Sequence, residues 1–372
     1  MADEYVLSEE QQALRDAVRK FSAENFGETT IRRLMESEPR FDAAVWRRLG
    51  SELGVLGMSV PEADGGVGGS LVDQAVAVEE FGATLACGPL FGTVYLAIPA
   101  LVACPAGAER DELLGALVEG ERTAAFEPQP VAVSGGTLTG TAARVVDADS
   151  ADVLLIAGNG SDGLGLYCVD LNGPGVQRNS LVTMDLTRPQ ARVALDGAPG
   201  TLLAGPDEAE RVITHALQVG SALLAVEQVG AAQHLLDLSV EYAKSRLQFG
   251  RQIGSFQAIK HKLADMLVDL EHARSAAYHA VWALADGSDD PALATSIAQA
   301  LASAAFSRIA ADTIQVHGGI GFTWEHQAHL YFKRAATDAA LLGSAEQHRG
   351  RVADMVLDTA IAQSGAVPVA TG

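Results

Sequence analysis

Apolar residues return at helical spacing along the first third of the chain. After Ser8, the residues Leu14, Val18 and Phe21 fall on one face, and Ser8 with Gln11 three positions on has the pattern of a capping box that opens a helix. Glycine and proline interrupt the region at Pro61–Gly69 and Cys104–Gly107, so residues 8 to about 121 read as several helices. From about 122 to 200 the period changes. Short Val, Leu, Thr and Ala runs broken by glycine, at Gly135–Gly140, Val153–Ala157 and Leu164–Val169, have the texture of strands, and the Gly/Pro-rich stretch Gly197–Pro206 closes them. Long Ala-, Leu-, Val- and Gln-rich patterns follow at Glu208–Lys244, Phe256–Trp282 and Ala292–Gln315, then a last helix ending near Ile361. The pattern predicts an α+β chain: a helical domain over 1–121, a small central β domain over 122–205, a helical bundle over 206–363 and an unstructured tail over 364–372. No internal repeat is visible.

Composition narrows the function. The chain has 372 residues, and 47 acidic against 26 basic side chains give a net charge of −21, the wrong sign for a protein that binds nucleic acid by neutralising phosphate. Hydrophobic residues at 48% and charged residues at 20% suit a packed globular protein, and the length suits two or three domains. The start, Met1–Glu4, is acidic and lacks the basic and apolar regions of a secretion leader. The longest apolar stretch, Val94–Cys104, is broken by Pro99 and falls short of the ~18 residues a membrane helix needs. Cys87, Cys104 and Cys168 match neither a disulfide framework nor a zinc pattern. A soluble, cytoplasmic protein with reduced thiols is expected.

Two segments interrupt the C-terminal helices with residues a helix does not need. In Arg246–Gln257, a guanidinium, the backbone of Gly250 and Gly254 and a helix start at Ser255 make an anion site. In Gln315–Phe322, Gly318, Gly319 and Gly321 let another molecule approach the backbone. Either alone is an ordinary turn between helices; together they are more specific.

The pair of segments, in this order of domains, resembles the acyl-CoA dehydrogenase family. Met184–Arg188 is similar to the family's segment near the end of its sheet domain, and Leu341–Arg349 to its C-terminal active-site stretch. The resemblance implies an N-terminal helical domain, a central β-barrel and a C-terminal four-helix bundle, with FAD lying across a subunit interface. It further implies that Arg246, Gln248, Phe249 and Gln257, with Gln315, His317, Gly318 and Gly319, bind the pyrophosphate and adenosine of FAD whose flavin sits in the neighbouring subunit.

The other half of the family's site departs from the pattern. Phe126-Glu127-Pro128 resembles the start of the flavin loop, but the positions of the ring-contacting tryptophan and threonine fall on Arg144 and Val146. An arginine does not replace a flat apolar ring, and valine lacks the hydroxyl. The family removes a proton α to a thioester carbonyl with a carboxylate placed just before a Gly-Thr or Gly-Ser pair. Here that pair is Gly343-Ser344 and Leu342 precedes it; the minority location aligns near Gly220-Ser221, also without a carboxylate. Positioned proton transfer supplies about 100- to 10,000-fold in rate, so the expected catalytic set of this chain is empty. Glu227, Asp338 and Glu346 are the acids nearest to these positions.

The resemblance therefore implies a non-catalytic subunit of a two-plus-two acyl-CoA dehydrogenase of the actinobacterial steroid side-chain type. A homologous partner would carry the catalytic Glu, and an electron-transfer flavoprotein would accept the electrons. The alternatives are a self-sufficient homo-oligomeric dehydrogenase with a relocated base, and a flavin-free scaffold or hydratase on the same fold. No metal is expected.

Overall fold

The computed structural model describes residues 7–364, with side chains to Leu357. Helix α1 (Glu9–Asn25) opens on the capping box: the Gln11 amide donates to the Ser8 hydroxyl at 3.2 Å, and the Ser8 amide donates to the Gln11 side chain at 3.1 Å. Then come α2 (Glu28–Leu34), α3 (Ala43–Ser51) and α4 (Leu71–Thr84). The apolar stretch after them is a π-helical segment, Leu90–Ala97, continued by α5 (Ile98–Ala103). Pro99 sits in the first turn of α5, where its missing N–H leaves little unsatisfied. Helix α6 (Ala108–Val118) ends the first helical part.

Seven strands follow: β1 (Ala124–Ser134), β2 (Thr137–Val146), β3 (Val153–Gly160), β4 (Gly163–Asp170), β5 (Val176–Ser180), β6 (Gln190–Pro199) and β7 (Thr201–Ala204). They form one sheet in the order β5-β6-β2-β1-β3-β4-β7, antiparallel except where β1 runs parallel to β3. Strand β3 shows how the sheet is placed. Leu154 and Ile156 enter a core that belongs to the sheet itself, with Leu138, Val145 and Val193, while Val153, Leu155 and Ala157 join the larger core shared with the helices. Burial on both faces explains why β3 is an unbroken apolar run. The strands pair as an open sheet, with no ladder between β5 and β7 to close the expected barrel; the inner core belongs to the sheet alone, and the outer one docks it on the bundle.

The C-terminal part comprises α7 (Pro206–Ser245), a hairpin of β8 (Leu247–Gln248) and β9 (Arg251–Gln252), α8 (Gln257–Asp286), α9 (Pro291–His317), α10 (Ala328–Asp338) and α11 (Ala345–Ser364). Two local expectations shift. Ser255 belongs to a 3-10 turn and α8 starts at Gln257, with no side chain capping it. Ser364 is the last helical residue rather than the first of a tail, and 365–372 lie outside the described residues.

Helix α7 is long and apolar enough to cross a membrane by composition, but 78% of its most apolar window is buried among α4, α8 and α9. Its crossing with α4 is backbone on backbone. A Cβ added at Gly230 would lie 1.9 Å from the Glu79 carbonyl oxygen, and one at Gly82 would lie 2.0 Å from that of Glu227. Only glycine admits so close an approach.

Candidate functional site

A cavity of about 680 Å³ separates the sheet from the bundle. Phe126, Glu127 and Pro128 of β1 and Arg144 and Val146 of β2 line it on the sheet side. Ser221 of α7 lines it too, as do Leu341, Leu342 and Gly343, which connect α10 to α11. The flavin-loop segment and both family positions for the base thus meet in one chamber. Neither position offers a carboxylate. A Cβ at Gly220 would lie 2.5 Å from Leu96 Cδ2, so no acid fits there without displacing that leucine.

Leu342 adopts a left-handed backbone, φ 57°, and Gly343 follows at φ 112°. This tight turn is held by His348, whose Nε2–H donates to the Leu342 carbonyl at 3.1 Å. Burial and the neighbouring Arg351 keep His348 below its usual pKa, and its buried Nδ1 has no protein partner. Glu127 is the one carboxylate among the described residues of the lining. Burial pushes its carboxyl up, and it accepts the Gln129 N–H at 2.8 Å.

None of the three acids considered as displaced bases lines the chamber. Glu346 is exposed on α11. Glu227 is buried and fully engaged: Arg188 Nη2 donates to its two oxygens at 2.5 and 2.6 Å, Arg334 Nη1 at 2.6 Å and the Tyr95 hydroxyl at 2.9 Å. Burial pushes this carboxyl up, but the two guanidiniums outweigh it and hold it down at about 2. A carboxylate so stabilised is a poor proton acceptor. Asp338 accepts from Arg188 Nη1 at 2.7 Å; burial raises its carboxyl against that attraction, and the nearby Glu227 charge raises it further. Arg334 also donates to Asp185 at 2.9 Å and to the Thr187 hydroxyl at 2.7 Å.

These residues form a buried ionic lock that joins the Met184–Arg188 loop of the sheet domain to α7 and α10. Sequence reasoning singled out Arg188, Glu227 and Asp338 separately but missed Arg334. Arg334 and Glu227 pair across 107 residues, and no local pattern marks such a pair.

The second place is the far end of the bundle. Arg246 follows the last turn of α7, and Gln315 and His317 end α9. Tyr242, one turn before Arg246, stacks on His317 with ring centroids 4.4 Å apart, which brings the two glycine-bearing segments together. His317 Nδ1–H donates to the Thr313 carbonyl at 2.8 Å, so Nε2 is a buried acceptor with no protein partner. In the hairpin, the Arg251 guanidinium lies 4.1 Å from the centre of the Phe256 ring, and Phe249 packs edge-on to that ring. Arg246, Gln248, Gln257, Gln315, Gly318 and Gly319 are exposed, and Phe249 is 91% exposed. A Cβ added at Gly250, Gly318 or Gly319 would meet nothing within 4 Å, so this backbone is open to another molecule.

Helices, a sheet with its own core and a helical bundle, with a chamber where sheet meets bundle, make up the acyl-CoA dehydrogenase fold. The family model for the N-terminal domain of acyl-CoA dehydrogenases matches residues 8–121, and that for the C-terminal domain matches 210–357. The acyl-CoA dehydrogenase IpdE2 of Mycobacterium tuberculosis is 38% identical over 336 residues, 90% of this chain and 94% of the relative. The caffeyl-CoA reductase-Etf complex subunit CarC of Acetobacterium woodii is 26% identical over 386 residues, 94% of this chain and 99% of the relative. Among solved structures, the Tcur3481-Tcur3483 steroid ACAD superposes with a TM-score of 0.86 at 30% identity, covering 95% of this chain and 99% of that one. The ChsE4-ChsE5 complex from Mycobacterium tuberculosis gives 0.85 at 28% identity, covering 95% and 98%. The chain belongs to the acyl-CoA dehydrogenase family, whose cofactor is FAD.

Proposed function

We propose that this chain is the clasping subunit of a two-plus-two acyl-CoA dehydrogenase: it holds the pyrophosphate and adenosine of FAD, and a homologous partner holds the flavin rings and the catalytic Glu. The carrying observation is the contrast inside the molecule. The chamber lacks a carboxylate at both base positions and has Arg144 and Val146 where ring contacts belong, while the bundle end keeps an exposed arginine, open glycine backbone and an unpaired buried acceptor. Ser221 at the chamber and Arg246 at the bundle end are 25 residues apart, about 37 Å along α7 at a rise of ~1.5 Å per residue. On this reading the two ends of one FAD are held by different subunits.

FAD supplies the hydride acceptor for α,β-desaturation of a CoA thioester. This chain's part is binding. Arg246 and the uncapped start of α8 neutralise the pyrophosphate, Gln248, Phe249 and Gln257 bind from the hairpin side, and Gln315, His317, Gly318 and Gly319 close the other. A bulky, steroid-type acyl group fits the relatives, one of which is named a steroid ACAD. The relative in a complex with Etf supports an electron-transfer flavoprotein as acceptor.

Producing the chain alone and with a homologous subunit, then recording flavin absorbance and thioester oxidation, tests this. Flavin and activity only on co-production are expected; both in the isolated chain would overturn the reading. One observation favours the self-sufficient alternative, the place of Glu127 in the chamber wall with its raised carboxyl. On that reading, Glu127→Gln abolishes turnover.

A further inference from the structure

With no flavin rings to hold, the chamber of this chain is free for another guest, and its lining selects one. Phe91, Leu96, Phe126, Leu217, Leu341 and Leu342 give it apolar walls, and Arg144 and Arg351 line it as well. Against these two guanidiniums stands, among the described residues, only Glu127, already engaged by the Gln129 amide. Among those residues the lining thus carries more basic than acidic side chains, in a chain of charge −21. Guanidiniums beside apolar walls suit an acid with a bulky hydrocarbon body: planar N–H groups take the carboxylate and the walls take the rings.

We propose that this chamber binds a bulky carboxylic acid as a non-reacting ligand. The inference rests on the reading that the flavin rings belong to the partner's chamber.

Equilibrium dialysis of the full chain against cholate, alone and co-purified with its flavin-bearing partner, tests it, with flavin absorbance recorded on the same samples. One cholate per copy of this chain is expected. Arg144→Glu and Arg351→Glu should each weaken binding about tenfold or more while turnover of the complex is unchanged. Arg144→Gln and Arg351→Gln, gentler to the fold, should weaken it in the same direction, with thermal unfolding showing that each variant is folded. A colourless chain that binds no cholate, binding indifferent to both arginines, or displacement of cholate by octanoyl-CoA or CoA overturns the inference alone. Flavin bound by the isolated chain overturns the subunit reading and this inference with it.

Discussion

The two ends of α7 carry opposite kinds of surface. Toward its start, Leu217 and Ser221 face a chamber whose acid positions are filled by leucine and glycine. At its end, Tyr242 stacks on His317, whose Nε2 has no protein partner, and Arg246 opens a segment with the exposed Phe249 and the bare Gly250. Between them sits the lock on Glu227, in which almost every polar atom is paired. The difference is informative because the ion pairs of the lock are kept: a chain decaying at random would lose buried pairs as readily as a catalytic acid. On the proposed reading the change lies in the chamber, and sites so far apart on a rigid helix respond independently to substitution.

The largest effect expected is at the lock, which holds both ends in place. Glu227→Ala leaves two buried guanidiniums without their shared partner and should cost about 3 to 5 kcal/mol in urea unfolding. A loss below about 1 kcal/mol would mean that the lock does not join the two regions.

Acidity gives the next effect. Burial raises the Asp147 carboxyl to about 7 although it accepts the Gly92 N–H at 2.8 Å. The folded protein therefore holds a proton that the unfolded chain, with an ordinary carboxyl near 3.8, has released. Stability should fall as pH rises from about 4 to about 7, by at most about 4 kcal/mol for this group. Asp338, raised by burial, acts in the same direction. Glu227 acts oppositely and at lower pH: its folded value of about 2 lies below its ordinary 4.5, so its contribution is lost as pH falls through that interval. Asp147→Asn should flatten the slope between pH 4 and 7, and an unchanged slope would contradict the assignment.

Two further substitutions separate the ends. Arg246→Ala should weaken flavin binding of the complex about tenfold or more and leave unfolding of the chain nearly unchanged. Unaltered flavin content would remove Arg246 from the clasp. Glu127→Gln, in the chamber, should leave turnover of the complex the same within experimental error, and abolished turnover would make this chamber the reacting one.

Much of this was legible in the sequence. The three-part order follows from apolar periodicity that changes from helix to strand and back, and the start of α1 follows from Ser8 and Gln11. The chamber was legible only through family resemblance. Phe126-Glu127-Pro128, Arg144, Val146, Ser221 and Leu342 come from four distant stretches, and nothing in their local pattern says that they meet. The lock was not legible as a unit, because Arg334 looks like any helical arginine until Glu227 and Asp185 are folded against it. Glu127 was noted as part of a motif, and only folding reveals it as the sole acid among the described residues of the chamber lining.

Counting flavins in the purified complex tests the division between the two ends most directly. The account predicts one flavin for every two chains, with its loss when Arg246 of this chain is removed; one flavin for every chain would contradict it.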